Sequence, residues 1–221
     1  MNRTVQTAFL ESVKNQDERL YRLSLNAKHL RQSKDLYDLS HSSVAEPTDL
    51  LLGHITEQLS DRDRFKERLA ETNAWGQVTL RQQIGRRYAV GPERVLLTTG
   101  ASDAIFLVCQ ALLLDGGHVI IEQPVYQPLL AAPRFLGASV DFLARPPENE
   151  YRVDMGELKK RVRHDTPLII LSNLHNPSGA LIDSDILQEV ASIAHDVGAK
   201  VLVDEIYHDF VEADQQPAAA L

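Results

Sequence analysis

The sequence predicts an α/β fold: a mostly parallel sheet covered by helices on both faces. Three observations predict it. After Gly91-Pro92, short apolar runs at residues 94–98, 119–122, 139–143, 168–172 and 200–203 read as strands. They alternate with helical patterns at 101–114, 127–136, 155–162 and 184–197. Strands apolar on both faces and separated by helices belong to a parallel sheet buried on both sides. Polar clusters also stand where the strands run out, and open parallel sheets bind ligands beyond those carboxyl ends.

The elements follow in order. Residues 1–35 are polar with interspersed Phe9, Leu10, Val13, Leu20, Leu23 and Leu30, the pattern of one or two amphipathic helices. Ser42-Ser43-Val44-Ala45-Glu46-Pro47-Thr48 reads as a loop, so residues 1–48 form an N-terminal arm and 49–221 the main domain. The stretch 50–89 is helical in pattern, interrupted by Asn73-Ala74-Trp75-Gly76. Asp183 or Ser184 can cap the helix predicted at 184–197, and Gly198 ends it.

At 221 residues, with 43% hydrophobic and 24% charged residues, the composition is that of a globular chain with a sizeable core. A formal charge of −8 and the lack of a basic stripe argue against nucleic acid or an anionic membrane as partner. Lys159-Lys160-Arg161-Val162-Arg163 is the densest basic run and reads as a solvated helix face. The lone Cys109 lies in an apolar helical stretch, which points to packing. It excludes an internal disulfide and fits a reducing compartment, so the cytoplasm is expected. No apolar run is long enough to span a bilayer.

The strand ends carry the chemistry. Gly100-Ala101-Ser102-Asp103 opens a helix, where backbone N–H groups and the helix dipole can hold a phosphate. An ordinary glycine turn looks the same. It matches neither the dinucleotide G-x-G-x-x-G pattern nor the P-loop. Tyr126, after Pro124, can stack on a planar ligand or serve as a core tyrosine. Asn176, in Asn176-Pro177-Ser178-Gly179, can donate its amide to a phenolate-type oxygen, although the same residues make a good turn. The neighbouring His175 reads as a solvated or hydrogen-bonded bystander.

Asp204 ends an apolar strand, where a partly desolvated carboxylate needs a positive or donating partner. A protonated pyridine nitrogen would serve. A helix cap, or a metal held with Glu205, His208 and Asp209, is the alternative. Tyr207 stands three residues on, within reach of the same ligand.

In order and spacing these sites resemble the large domain of fold-type I aminotransferases, pyridoxal-phosphate (PLP) enzymes of class I/II. The resemblance runs from Trp75-Gly76 to Val211. It implies PLP as cofactor, with Gly100, Ala101 and Ser102 at its phosphate and Tyr126 stacked on its ring. Asn176 and Tyr207 would contact the ring oxygen, and Asp204 the ring nitrogen. Ser42 and Ser43 would lie near an amino-acid substrate, and the enzyme would be a homodimer. Gly76-Gln77-Val78-Thr79-Leu80-Arg81 matches a segment that usually reads G-x-P-x-L-R.

Members often carry a tyrosine before that segment, where this chain has Glu71-Thr72-Asn73-Ala74-Trp75. No lysine follows Asp204. In the family the Schiff-base lysine comes later, as do arginines for the phosphate and the substrate carboxylate. Lys200 begins its strand at the opposite end from the site. The expectation is therefore a fragment of a longer aminotransferase acting on an amino acid and a 2-oxo acid, with no catalytic residue of its own. The resemblance equally admits a lyase, decarboxylase or cyclising synthase, or a non-catalytic PLP-binding protein.

Overall fold

The structure, a computed structural model, describes residues 46–70 and 73–211. The chain divides into two units, residues 1–71 and 72–221. In the first, helix α1 spans Thr48–Ser60 and helix α2 spans Arg62–Ala70. The helices expected within residues 1–35 lie outside the described residues.

The second unit opens with α3 (Val78–Arg87), whose first turn is capped by Gln77: its side-chain oxygen accepts from the Leu80 N–H at 3.0 Å. There follow α4 (Ala101–Leu112), β1 (His118–Gln123), α5 (Gln127–Phe135), β2 (Ser139–Ala144), α6 (Met155–Arg161), β3 (Leu168–Ser172), α7 (Ser184–Asp196) and β4 (Lys200–Asp204). Asp154 caps α6 by accepting from the Glu157 N–H at 2.9 Å. Asp183 occupies the N-cap position of α7 without a side-chain cap bond. As expected, Gly198 closes α7: its φ of +77° lets the chain reverse so that Ala199 N–H reaches the Ala194 carbonyl at 2.8 Å.

All strand pairs are parallel, in the order β2-β1-β3-β4. The two central strands are buried along almost their whole length. Alternation then divides the core. Val119, Ile121, Leu168 and Ile170 point to one face, where Ile105 and Cys109 of α4 and Leu129 of α5 cover them. Ile120, Ile169 and Leu171 point to the other, against Leu158 of α6 and Val190 and Ala194 of α7. Helices therefore cover both faces, as the apolar runs predict. Cys109 is fully buried, and burial pushes its thiol up to about 11, so it packs as an apolar side chain.

The run at 94–98 is not a strand. Pro92–Arg94 makes a 3-10 turn, and Val95 to Thr98 continues without a sheet partner among the described residues. Its polar groups bond elsewhere: Arg81 Nε donates to the Val95 carbonyl at 2.9 Å, and Leu97 N–H to the Trp75 carbonyl at 3.0 Å. Apolar content made the run look like a strand, but a strand needs a neighbouring ladder. The helices and strands predicted from residue 101 onward recur with ends shifted by at most two residues, where helix and strand termini are least specified.

Ile170 is fully buried at the centre of β3. Ile170→Ala should lower unfolding stability by about 2–5 kcal/mol with an unchanged denaturant m-value. Equilibrium urea unfolding checks this.

Candidate active site

The site is built at one edge of the sheet. Five residues separate the end of helix α4 from the start of β1. It therefore runs back against the strands and presents its N-terminus at their carboxyl ends. Gly100 immediately precedes it with φ +82°, a conformation in which any Cβ is strained. Open space lies where that Cβ would be. The N–H groups of the first turn, at Ala101 and Ser102, have no intrahelical acceptor and face outward with the positive end of the dipole. Thr98 Oγ1 donates to the Gly100 carbonyl at 2.9 Å, and Asp103 accepts from the Thr99 N–H at 3.2 Å, which fixes the entering loop.

Tyr126 stands at the N-cap position of α5, just past β1, with 41% of its surface exposed. Asn176 lies in the loop after β3, half-buried. Tyr207 is half-buried in the turn after β4, its ring 6.3 Å from that of Phe210. Ser42 and Ser43 lie outside the described residues.

Asp204 is the last residue of β4 and is buried. Burial holds its carboxyl above the usual aspartate range, and a hydrogen bond from the Ile206 N–H only partly offsets this. Among the described residues no cation stands against it. The end of β4 is tied to the Asn176 loop, since Asn173 N–H donates to the Asp204 carbonyl at 2.8 Å. Among the described residues, no group of three or more His, Cys, Asp or Glu side chains is arranged to hold a metal ion.

His175 is buried. Its Nε2 lies 2.8 Å from the Pro124 carbonyl, which can only accept, so that nitrogen carries the proton. Nδ1 then accepts from Ser178 Oγ at 2.6 Å. Burial holds the imidazole below its usual pKa and so keeps it neutral. Both ring nitrogens are occupied in holding the loop, which makes His175 a structural residue.

Sequence reasoning missed the charges beneath this edge. Glu122 and Arg145 are both fully buried, with Arg145 Nη1 2.5 Å from Glu122 Oε2. Glu122 Oε1 accepts from Ser172 N–H at 2.7 Å and from the Ser172 hydroxyl. Arg145 Nε donates to the Tyr151 carbonyl at 2.6 Å. Burial raises the carboxyl and lowers the guanidinium. The donors around Glu122, together with an arginine that does not deprotonate, keep the pair ionised. A glutamate inside the apolar run Val119-Ile120-Ile121-Glu122 was the available signal, because a charge there must be paired.

The sequence from residue 36 to residue 221 matches the family model for aminotransferase class I and II. The chain belongs to that family. It is 30% identical to the aspartate aminotransferase of Pyrococcus horikoshii over 122 residues, covering 55% of this chain and 31% of that protein. Against the capreomycidine synthase of Streptomyces vinaceus it is 32% identical over 145 residues, covering 65% of this chain and 37% of that one. Among solved structures, a PLP-dependent aminotransferase from Streptococcus suis superposes with a TM-score of 0.62 at 33% identity, over 75% of this chain and 44% of that chain. Aspartate aminotransferase from Thermus thermophilus with maleate superposes at 0.69 and 25% identity, over 83% and 50%. This aminotransferase-family chain thus spans about a third of the length of the first of these curated relatives. Enzymes of the family depend on pyridoxal phosphate.

Arg145→Met leaves Glu122 buried without its cation and should cost about 3–5 kcal/mol. Removing the guanidinium raises the Glu122 carboxyl further above its unfolded value, already raised by burial. Stability is then retained at acid pH and lost as pH rises through the folded value. Unfolding of this variant should therefore come progressively earlier than wild type from acid to neutral pH. A deficit that is constant across pH would contradict the pairing.

Proposed function

We propose that this chain is the cofactor-binding part of a PLP-dependent aminotransferase that exchanges an amino group between an amino acid and a 2-oxo acid. The observation that carries the reading is Asp204: a buried carboxylate, raised by desolvation, with no cation against it among the described residues. A protonated pyridine nitrogen supplies the missing positive charge. At an effective dielectric near 20 such a pair about 4 Å apart gains roughly 4 kcal/mol before desolvation costs.

The other residues fit the same ligand. The first-turn N–H groups of α4, with Gly100, Ala101 and Ser102, would hold the phosphate. The Tyr126 ring would lie against the pyridine, and Asn176 and Tyr207 would donate to its ring oxygen. When bound, the cofactor supplies an electron sink for bonds at the α-carbon of an amino acid. Asp204 keeps the ring nitrogen protonated, Asn176 and Tyr207 orient the ring, and the first turn of α4 fixes its position along the sheet edge.

The reading extends to Ser42 and Ser43 beside the substrate, and to a cytoplasmic homodimer. A single buried cysteine suits a reducing compartment. Among the described residues no helix is long and apolar enough to cross a membrane. A second reading within the fold, a synthase, draws on the likeness to capreomycidine synthase at 32% identity.

Two measurements test these readings. The native gene product, incubated with PLP, an amino acid and a 2-oxo acid, should exchange the amino group between the two. Ring closure or loss of a substituent without exchange would instead favour the synthase reading or a lyase. Asp204→Asn should weaken PLP binding by about tenfold or more. The same change should stabilise the apoprotein. Because the Asp204 carboxyl is raised on folding, its stabilising contribution is present below the ordinary aspartate range and lost as pH rises through the folded value. The variant's advantage should accordingly be full at neutral pH and vanish in acid, as read by thermal unfolding without cofactor.

A further inference from the structure

We infer that Ser172, backed by the buried Glu122–Arg145 pair, is a positioning residue for Asn176 and governs cofactor affinity without touching the cofactor. The inference rests on the proposal that Asn176 contacts the cofactor's ring oxygen. Ser172 is the last residue of β3 and is buried. Its hydroxyl has one hydrogen, and that hydrogen goes to Glu122 Oε1. The oxygen is therefore turned to accept, and it accepts from the backbone N–H of Asn176 at 3.0 Å. An ionised acceptor polarises the hydroxyl and makes it the better acceptor in turn.

Behind the hydroxyl, the charge pair is tied to neighbouring segments. Glu122 is held by Arg145 Nη1 and by Ser172 N–H, and Arg145 by the Tyr151 carbonyl. The far side of the loop is closed separately. Asn173 Oδ1 accepts from Ile182 N–H at 2.9 Å, and its Nδ2 donates to the Ile182 carbonyl at 3.2 Å. The Ser172 hydroxyl thus links the charge pair directly to the one loop residue proposed to meet the ligand. Merely clamping β1 to β3 would need only the Ser172 N–H to Glu122 bond, which any residue at position 172 other than proline provides.

The test uses the native gene product and two readouts. In the cofactor-free protein, Ser172→Ala should speed amide exchange of Asn176 about tenfold, with His175 and Gly179 following, while the amides of 119–121 keep their protection. In PLP titrations, Ser172→Ala should weaken binding about tenfold, and Asn176→Ala about tenfold or more. The double variant should be no weaker than Asn176→Ala alone, because Ser172 acts through Asn176. Ser172→Thr, which keeps the hydroxyl, should restore both loop protection and affinity. Losses that multiply in the double variant, or loop exchange that does not change, overturn the inference while leaving the cofactor reading standing. An Asn176→Ala variant with wild-type PLP affinity overturns the assigned Asn176 contact, and the inference with it.

Discussion

The structure depends on a buried ion pair. Glu122 and Arg145 sit at the carboxyl edge of the sheet with no solvent exposure, and together they join β1, the segment after β2, and β3. Burying two charges is costly, and such a pair often adds little net stability over apolar residues of the same shape. What it adds here is selection among arrangements. In the observed register Val119 lies beside Leu168 and Ile121 beside Ile170, which brings Glu122 to Ser172. A slip of one residue would keep apolar side chains against one another but would take Glu122 from its donors. An unpaired buried charge makes that register far worse than a merely misfilled core.

Two buried carboxylates share this edge and have opposite surroundings. Glu122 receives a guanidinium, a backbone N–H and a hydroxyl. Asp204 receives one backbone N–H and is otherwise only desolvated. The first is complete within the chain and therefore structural. The second lacks a counter-charge among the described residues and is therefore the candidate for ligand binding. The Asn173–Asp204 backbone bond connects the loop of one to the strand of the other, so both are referred to the same frame.

Much of this frame was legible in the sequence. β1 and β3 are apolar on both faces, and only a parallel sheet covered twice can bury them. Asp204 and Asn176 stood out as polar residues at the carboxyl ends of such strands. The run at 94–98 misled because apolar character alone does not make a strand: Leu96 is exposed, and a strand requires a neighbour. Arg145 was invisible for a different reason. Its partner lies 23 residues earlier, and neither a period nor a motif links the two until β1 and β2 lie side by side. Ser172 was hidden likewise, as an ordinary polar residue whose two hydrogen bonds appear only in space.

The Glu122–Ser172 contact joins residues 50 apart in the chain. Closing a contact across that much chain carries an entropic cost that slows assembly. The Glu122–Ser172 contact is also what orients the hydroxyl that receives the Asn176 N–H. A ligand that binds there consequently distinguishes finished sheets from partly assembled ones. It adds stability by mass action only to the former. A ligand at the Asn176 loop would then hold completed molecules in the native population.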